Sequence, residues 1–236
     1  MNLIPRLFAA FEIGGRRPLL VRRERVPRIG VGKRVLFASD LHLRMNGPRR
    51  IMDDLIRIAA DEAPDLVLLG GDLVDWRTGI DSVQLLVSEL TRFAPVGAVA
   101  GNHDRWIGVA RVRNAVLAGG GVWLEDTPFV LTPDCAVYGS TSSCTVSAKY
   151  RVLCTHHPEV ARSTPYFDLT LSGHLHGGQL VLYERRGRLY PGAFLYRWNG
   201  LRFEDSDGRT LLISRGVQDT VPLRWNCPRE VLLVEL

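Results

Sequence analysis

The chain has 236 residues, 46% apolar and 23% charged, enough to bury the core of one domain, which excludes a disordered or fibrous protein. Its apolar runs, such as 66–69 and 231–234, break long before the ~20 residues of a bilayer-spanning helix, and the start lacks the apolar stretch of a secretory leader, so a cytoplasmic location is expected. Residues 1–34 carry nine Arg or Lys against Glu12 and Glu24, while the rest holds 21 basic and 23 acidic residues; a near-neutral body with a basic leading arm argues against a nucleic-acid binder.

In chain order, Leu3, Ile4, Leu7, Phe8 and Phe11 share one helical face that stops at Gly14-Gly15, with Arg16, Arg17, Arg22 and Arg23 next. Such a segment rests on an anionic membrane surface or packs on the protein's own sheet, and 19–26 also reads as an edge strand. The chain is therefore divided into an arm, 1–34, and one domain, 35–236. Within the domain, 35–38 reads as a strand, Ile51, Leu55, Ile58 and Ala59 as a helix, and 66–69 as a second strand. Val83, Leu86, Val87, Leu90 and Phe93 mark another helix, and 96–100 a third strand ending at Gly101. Beyond Gly119-Gly120-Gly121 the pattern turns β-rich, with strands at 122–124, 135–138, 151–154, 169–171, 180–183, 211–214 and 231–234, while 184–207 reads as a loop. The alternation indicates an α/β fold.

Cys135, Cys144, Cys154 and Cys227 form no Cys-x-x-Cys pair, as expected of reduced, buried thiols. The six histidines are more informative, because each follows a predicted strand, where open α/β sheets place ligand sites. Asp40-Leu41-His42, Gly71-Asp72-Leu73-Val74-Asp75, Gly101-Asn102-His103-Asp104, His156-His157 and Gly173-His174-Leu175-His176 succeed the strands in turn. Residues two apart in extended chain point to one side, so Asp40 with His42, and His174 with His176, can approach one ion together. Carboxylate oxygen with imidazole nitrogen suits Mn²⁺, Fe or Zn²⁺; the lack of thiolates argues against structural zinc, and the imidazoles argue against calcium.

These five motifs, in this order, resemble the calcineurin-like metallophosphoesterases. Ser39-Asp40-Leu41-His42, the run Ser172-Gly173-His174-Leu175-His176-Gly177-Gly178-Gln179 and the tail from Ser214-Arg215-Gly216 to Pro228-Arg229-Glu230 look like the bacterial membrane-associated phosphodiesterase branch. That branch includes enzymes that cleave the pyrophosphate of UDP-diacylglucosamine in lipid A synthesis. The resemblance implies a four-layer sandwich of two mixed β-sheets flanked by helices, with two divalent metal ions, Mn²⁺ favoured over Fe and Zn²⁺. It implies Asp40, His42 and His176 on the first ion, Asn102, His156 and His174 on the second, and Asp72 between them. A metal-bridging hydroxide would attack a phosphodiester or pyrophosphate in line, His103 would donate to the phosphate or the departing alkoxide, and Asp104 would orient His103. Asp75 reads as a structural or outer residue, and His157 has no ligand role.

Arg185, Arg186 and Arg188, with the aromatics Tyr190, Phe194, Tyr196 and Trp198, line a substrate cleft in one reading and an exposed hairpin in the other. Trp76 and Trp106 follow metal loops and wall the site or fill the core. The expected substrate is a phosphoester or pyrophosphate, presented as a lipid precursor to a protein peripheral on the inner membrane. The alternatives are a soluble phosphodiesterase or nuclease acting on nucleotides, and a metal-binding scaffold without catalysis.

Overall fold

The computed structural model describes residues 11–14, 17–44, 49–140, 146–163 and 166–236. The first half runs β1 (Phe11–Ile13), β2 (Leu20–Arg25), β3 (Arg34–Ala38), α1 (Arg49–Glu62), β4 (Leu66–Gly70), α2 (Ile80–Leu90), β5 (Val96–Val99), α3 (Asn102–Ile107) and α4 (Val109–Ala118). Four strands follow with one short helix, β6 (Val122–Trp123), β7 (Phe129–Thr132), β8 (Cys135–Tyr138), β9 (Tyr150–Cys154) and α5 (Val160–Ser163). The remainder is β10 (Leu169–Ser172), β11 (Val181–Arg185), β12 (Arg188–Pro191), α6 (Gly192–Leu195), β13 (Arg202–Glu204), β14 (Thr210–Ile213), β15 (Leu223–Trp225) and β16 (Glu230–Glu235).

Two six-stranded sheets form the body, in the orders β2-β16-β3-β4-β5-β6 and β13-β14-β10-β9-β8-β7. Both are mixed: β3 to β6 run parallel and meet β16 antiparallel, while β8, β9, β10 and β14 run parallel between antiparallel β7 and β13. Alternation along β3 shows how the layers are filled. Val35 and Phe37 enter the core between the sheets with Leu66, Leu68, Val137, Val152, Leu171 and Leu212. Leu36 and Ala38 face the other way, onto Ile51 and Leu55 of α1, Leu86 of α2 and Val112 and Val116 of α4. On the far side of the second sheet, Tyr138, Leu153 and Phe167 pack with Val160 of α5. The expected α/β sandwich of two mixed sheets with flanking helices is the observed fold, and α5 makes the fourth layer much thinner than the first.

The strands expected at 35–38, 66–69, 135–138, 151–154, 169–171, 211–214 and 231–234 are present within a residue or two at each end. The segment 184–207 differs from the loop expected of it. It holds the end of β11, β12, α6 and β13, because the backbone turns at Arg186 and Gly187, both with positive φ, and pairs Arg185 with Arg188. Helix α4, not among the expected elements, buries Val112, Ala115 and Val116 at helical spacing, with Arg111, Arg113 and Asn114 off that face.

Most of the expected N-terminal helix, and Cys144, lie outside the described residues. Phe11 is in a strand, paired with Trp225 of β15. Strand β2 occupies the edge of the first sheet, parallel to β16. Its arginines are paired within the domain: the largely buried Arg22 donates to the Ile213 carbonyl at 2.7 Å and lies 3.4 Å from Glu230, while the exposed Arg23 pairs with Glu62 at 2.7 Å and Arg25 with Glu235 at 2.9 Å. Among the described residues no helix is long and apolar enough to cross a membrane, and Cys135, Cys154 and Cys227 are buried free thiols.

Candidate metal centre

Every candidate ligand sits at the carboxyl end of a strand. Asp40 and His42 follow β3, Asp72 follows β4, Asn102 opens α3 after β5, His156 follows β9, and His174 and His176 follow β10. The pairs converge by a different route from the extended alternation expected of them. Asp40, His42, Asp72, His174 and His176 all have positive φ, between 45° and 74°, so each loop curls in left-handed conformations that Asp and His tolerate better than most residues. Space for the carboxylates comes from glycine: a Cβ on Gly101 would lie 2.0 Å from Asp72 Oδ1, and one on Gly173 2.4 Å from Asp40 Oδ2.

The ligating atoms of Asp40, His42 and His176 lie within 4.8 Å of one another, as do those of Asp40, Asp72 and His156, and of His156, His157 and His174. His156 Nε2 stands 3.1 Å from Asn102 Oδ1, 3.2 Å from Asp72 Oδ2 and 3.2 Å from His174 Nδ1. Atoms that share an ion at about 2.1 Å are separated by about 3–3.4 Å, so the set has the dimensions of a coordination shell. The decisive atom is His42 Nε2, which is buried and, among the described residues, has no hydrogen-bond partner. A buried imidazole nitrogen beside two buried carboxylates, Asp40 and Asp72, is an arrangement suited to a cation. The donor set of oxygen and imidazole fits Mn²⁺, Fe or Zn²⁺.

Other residues fix the imidazoles. A carboxylate only accepts, so His42 Nδ1 donates to Asp75 Oδ1 at 2.6 Å, and His103 Nδ1 lies 3.0 Å from the same oxygen. Arg44 and Thr220 complete the partners of Asp75. His156 Nδ1 donates to the Gly70 carbonyl at 3.0 Å. His176 Nδ1 lies 2.7 Å from Asp219, which Arg224 grips through two nitrogens at 2.6 and 2.8 Å. Each bond commits one ring nitrogen as donor and leaves the other for a metal. Asp104, expected to orient His103, has other partners for its carboxylate. The Asp104 carboxylate is fully buried and takes the backbone N–H groups of Leu73, Val74 and Gly101, while Asp75 faces His103. His157, expected to have no ligand role, meets His174 edge-on, with ring centres 4.1 Å apart.

Burial opposes ionisation of Asp72, but the hydrogen bond and charge of His156 outweigh it and hold the carboxyl far below the usual range. Asp75 and Asp219, against the same burial, are held at about 2 by His42 and by His176 with Arg224. Burial pushes Asp104 up to about 6. For His156 burial is overcome by Asp72 and Asp40, which raise it to about 9, whereas burial and the neighbouring His156 and His157 lower His174 to about 4.

Arg185, Arg186 and Arg188 stand apart from this centre. They form the tip of the β11–β12 hairpin, whose base pairs Val181 with Pro191, roughly 13 Å away along the strands. Arg188 lines a separate cavity of 390 Å³ with Arg197 and Trp198. Trp76 and Trp106 are exposed, and the Trp106 ring lies 4.8 Å from that of His103. Asp219, Arg224 and Thr220 were missed as site residues, because nothing in their local sequence marks them as partners of histidines elsewhere in the chain.

The calcineurin-like phosphoesterase family profile matches residues 33–189. The chain belongs to this family. A phosphodiesterase from Escherichia coli K12, YaeI, is 30% identical over 228 residues, covering 86% of this chain and 82% of that protein. An uncharacterised metallophosphoesterase of Aquifex aeolicus VF5 is 27% identical, covering 92% and 89%. A solved dimetal phosphatase from Danio rerio superposes with a TM-score of 0.50 over 86% of this chain and 99% of its own, at 11% identity, a likeness of fold alone. This calcineurin-like phosphoesterase is thus a metal-dependent hydrolase whose candidate ligands suit a dinuclear divalent-metal site.

Proposed function

We propose that the protein hydrolyses a phosphodiester or pyrophosphate with two divalent ions, Mn²⁺ favoured, held by Asp40, His42 and His176 and by Asn102, His156 and His174, with Asp72 common to both. Such ions supply Lewis acidity and lower the pKa of coordinated water. The chain's own part centres on one observation: a single oxygen of Asp75 accepts from His42, a candidate ligand, and lies 3.0 Å from Nδ1 of His103, which is not in the proposed ligand set. The His103 backbone N–H also donates to Asp72 Oδ1 at 2.8 Å, and its side chain is 21% exposed. Asp75 thereby faces Nδ1 of His103, leaving Nε2 to donate to the leaving oxygen as the P–O bond breaks.

The test is hydrolysis of bis(p-nitrophenyl) phosphate by metal-stripped protein before and after Mn²⁺ is restored. Turnover is expected only with metal, and His103→Ala should keep two bound ions while losing roughly 10²–10⁴-fold in rate. Absence of turnover with two ions bound would overturn the reading in favour of a scaffold.

The finer reading, a lipid-linked pyrophosphate of the UDP-diacylglucosamine type taken from an anionic membrane surface, is supported by exposed Phe11, Ile13 and Leu223 on the paired strands β1 and β15. Flotation with anionic vesicles and turnover of that substrate are expected. A fully soluble protein inhibited by small nucleotides would instead favour a nucleotide phosphodiesterase.

A further inference from the structure

A groove of 680 Å³ opens beside the metal centre, and its wall contains His174. Its lining also includes α6 and the residue after it. Phe194, Leu195 and Tyr196 are 72%, 84% and 56% exposed, three consecutive large side chains with an apolar body, and Leu180 extends the surface. Among the described residues no Lys, Arg, Asp or Glu lines the groove, in contrast to the 390 Å³ cavity with its Arg188, Arg197, Arg209, Glu204 and Asp205.

This α6 lining is held to the metal loops. Asn199 is buried and donates from Nδ2 to the Leu189 carbonyl at 2.7 Å and to the Gly177 carbonyl, beside His176, at 3.5 Å. Gly192, the first residue of α6, packs so closely on Asn199 that a Cβ would come within 2.2 Å of Nδ2. Rings brace it from behind: Tyr183 stacks on Tyr190 at 4.8 Å, and Tyr190 meets Phe194 edge-on at 4.9 Å. A preformed apolar groove that shares a candidate ligand with the metal centre is built to receive part of the molecule whose phosphorus sits at that centre.

We propose that this groove is the specificity subsite for an uncharged, apolar arm, alkyl, acyl or aryl, carried on one ester oxygen of the substrate. The inference rests on the phosphodiesterase reading above. An apolar arm is favoured over a second phosphate because the walls offer no cation to pair with one, and over a sugar because they offer few hydrogen-bonding groups.

The test uses the Mn²⁺-loaded protein with methyl, butyl and hexyl p-nitrophenyl phosphodiesters below their aggregation limits. In each, water adds to phosphorus, the P–O bond to nitrophenolate breaks, and the alkyl phosphate is the other product. The subsite predicts that kcat/KM rises about two- to four-fold per methylene, mostly through KM, since the arm is bound alike in ground and transition states. Leu195→Glu and Phe194→Ala alter exposed side chains; both should flatten this slope and leave turnover of the methyl ester unchanged. Hexyl phosphate should bind the parent more tightly than methyl phosphate by calorimetry, and Leu195→Glu should remove the difference. Replacing hexyl by phenyl separates the arms: equal gains indicate a general apolar seat, and a gain for one alone names that arm. A flat chain-length series with good turnover overturns the subsite alone, whereas no turnover of any ester with two ions bound overturns the phosphodiesterase reading beneath it.

Discussion

At the scale of single residues, the site is a set of imidazoles whose tautomers are chosen by partners distant in sequence. Asp219 does this for His176 while neutralising Arg224, both side chains being almost completely buried. Asp219→Asn keeps the volume but withdraws the charge. Metal affinity at the site of His176 should fall roughly 10–100-fold, read as a rightward shift of the Mn²⁺ activation curve with full rate recovered at high Mn²⁺. Because Arg224 is left buried and unpaired, stability should also fall by about 3–5 kcal/mol. A companion Asp219→Asn, Arg224→Met variant should regain stability and retain the weak metal binding, and an unshifted activation curve in both would show that Asp219 does not position His176.

At the scale of elements, Asp104 is a clamp between loops. Its carboxylate joins the turn after β4, through Leu73 and Val74, to the start of α3, through Gly101, and so fixes the spacing of Asp72 and Asn102. Removing a charged acceptor from buried N–H groups costs about 1–3 kcal/mol for each group left unpaired. Asp104→Ala is therefore expected to lower stability by about 3–9 kcal/mol in urea denaturation and to weaken metal binding, whereas His103→Ala should leave stability nearly unchanged. An Asp104→Ala protein of parental stability with only a rate defect would restore the role first expected of Asp104. The glycines that admit the two carboxylates set the same limit on substitution: Gly101→Ala and Gly173→Ala place a methyl group against Asp72 and Asp40.

The whole molecule uses the seam between two sheets to carry buried anionic charge toward one edge. Without metal, Asp72 and His156 answer each other as an ion pair, with His156 raised to about 9. A histidine raised in the folded state adds stability that is complete below its unfolded value of about 6.5 and is lost as pH rises through its folded value. The metal-free protein should accordingly lose melting temperature between pH 6.5 and 9. Metal binding needs His156 neutral and expels its proton, so affinity should rise over the same interval. The expected outcome is a gap in melting temperature between Mn²⁺-loaded and chelator-treated protein that widens with pH. A gap that narrows would show that His156 is not displaced from its proton by metal.

What could be read along the chain was whatever short-range geometry dictates. Asp40-Leu41-His42, Gly101-Asn102-His103 and Gly173-His174-Leu175-His176 each lie within a few residues of a strand end, so the strand pattern alone delivers them to one edge of the sheets. The apolar periods of β3, β4, β9 and β10 were equally legible, since one face of each had to be buried. The choice of partners was not, because it depends on packing between segments far apart in sequence. Asp75 rather than Asp104 reached His103, Asp219 arrived from the loop before β15, and the hairpin turn at Arg186 and Gly187 carried Arg185 and Arg188 to a hairpin tip while Phe194 and Leu195 came to line one groove with His174. A ligand motif is local because the chain itself holds its atoms together; an orienting bond or a groove wall is a meeting of separate segments, and only the folded packing selects it.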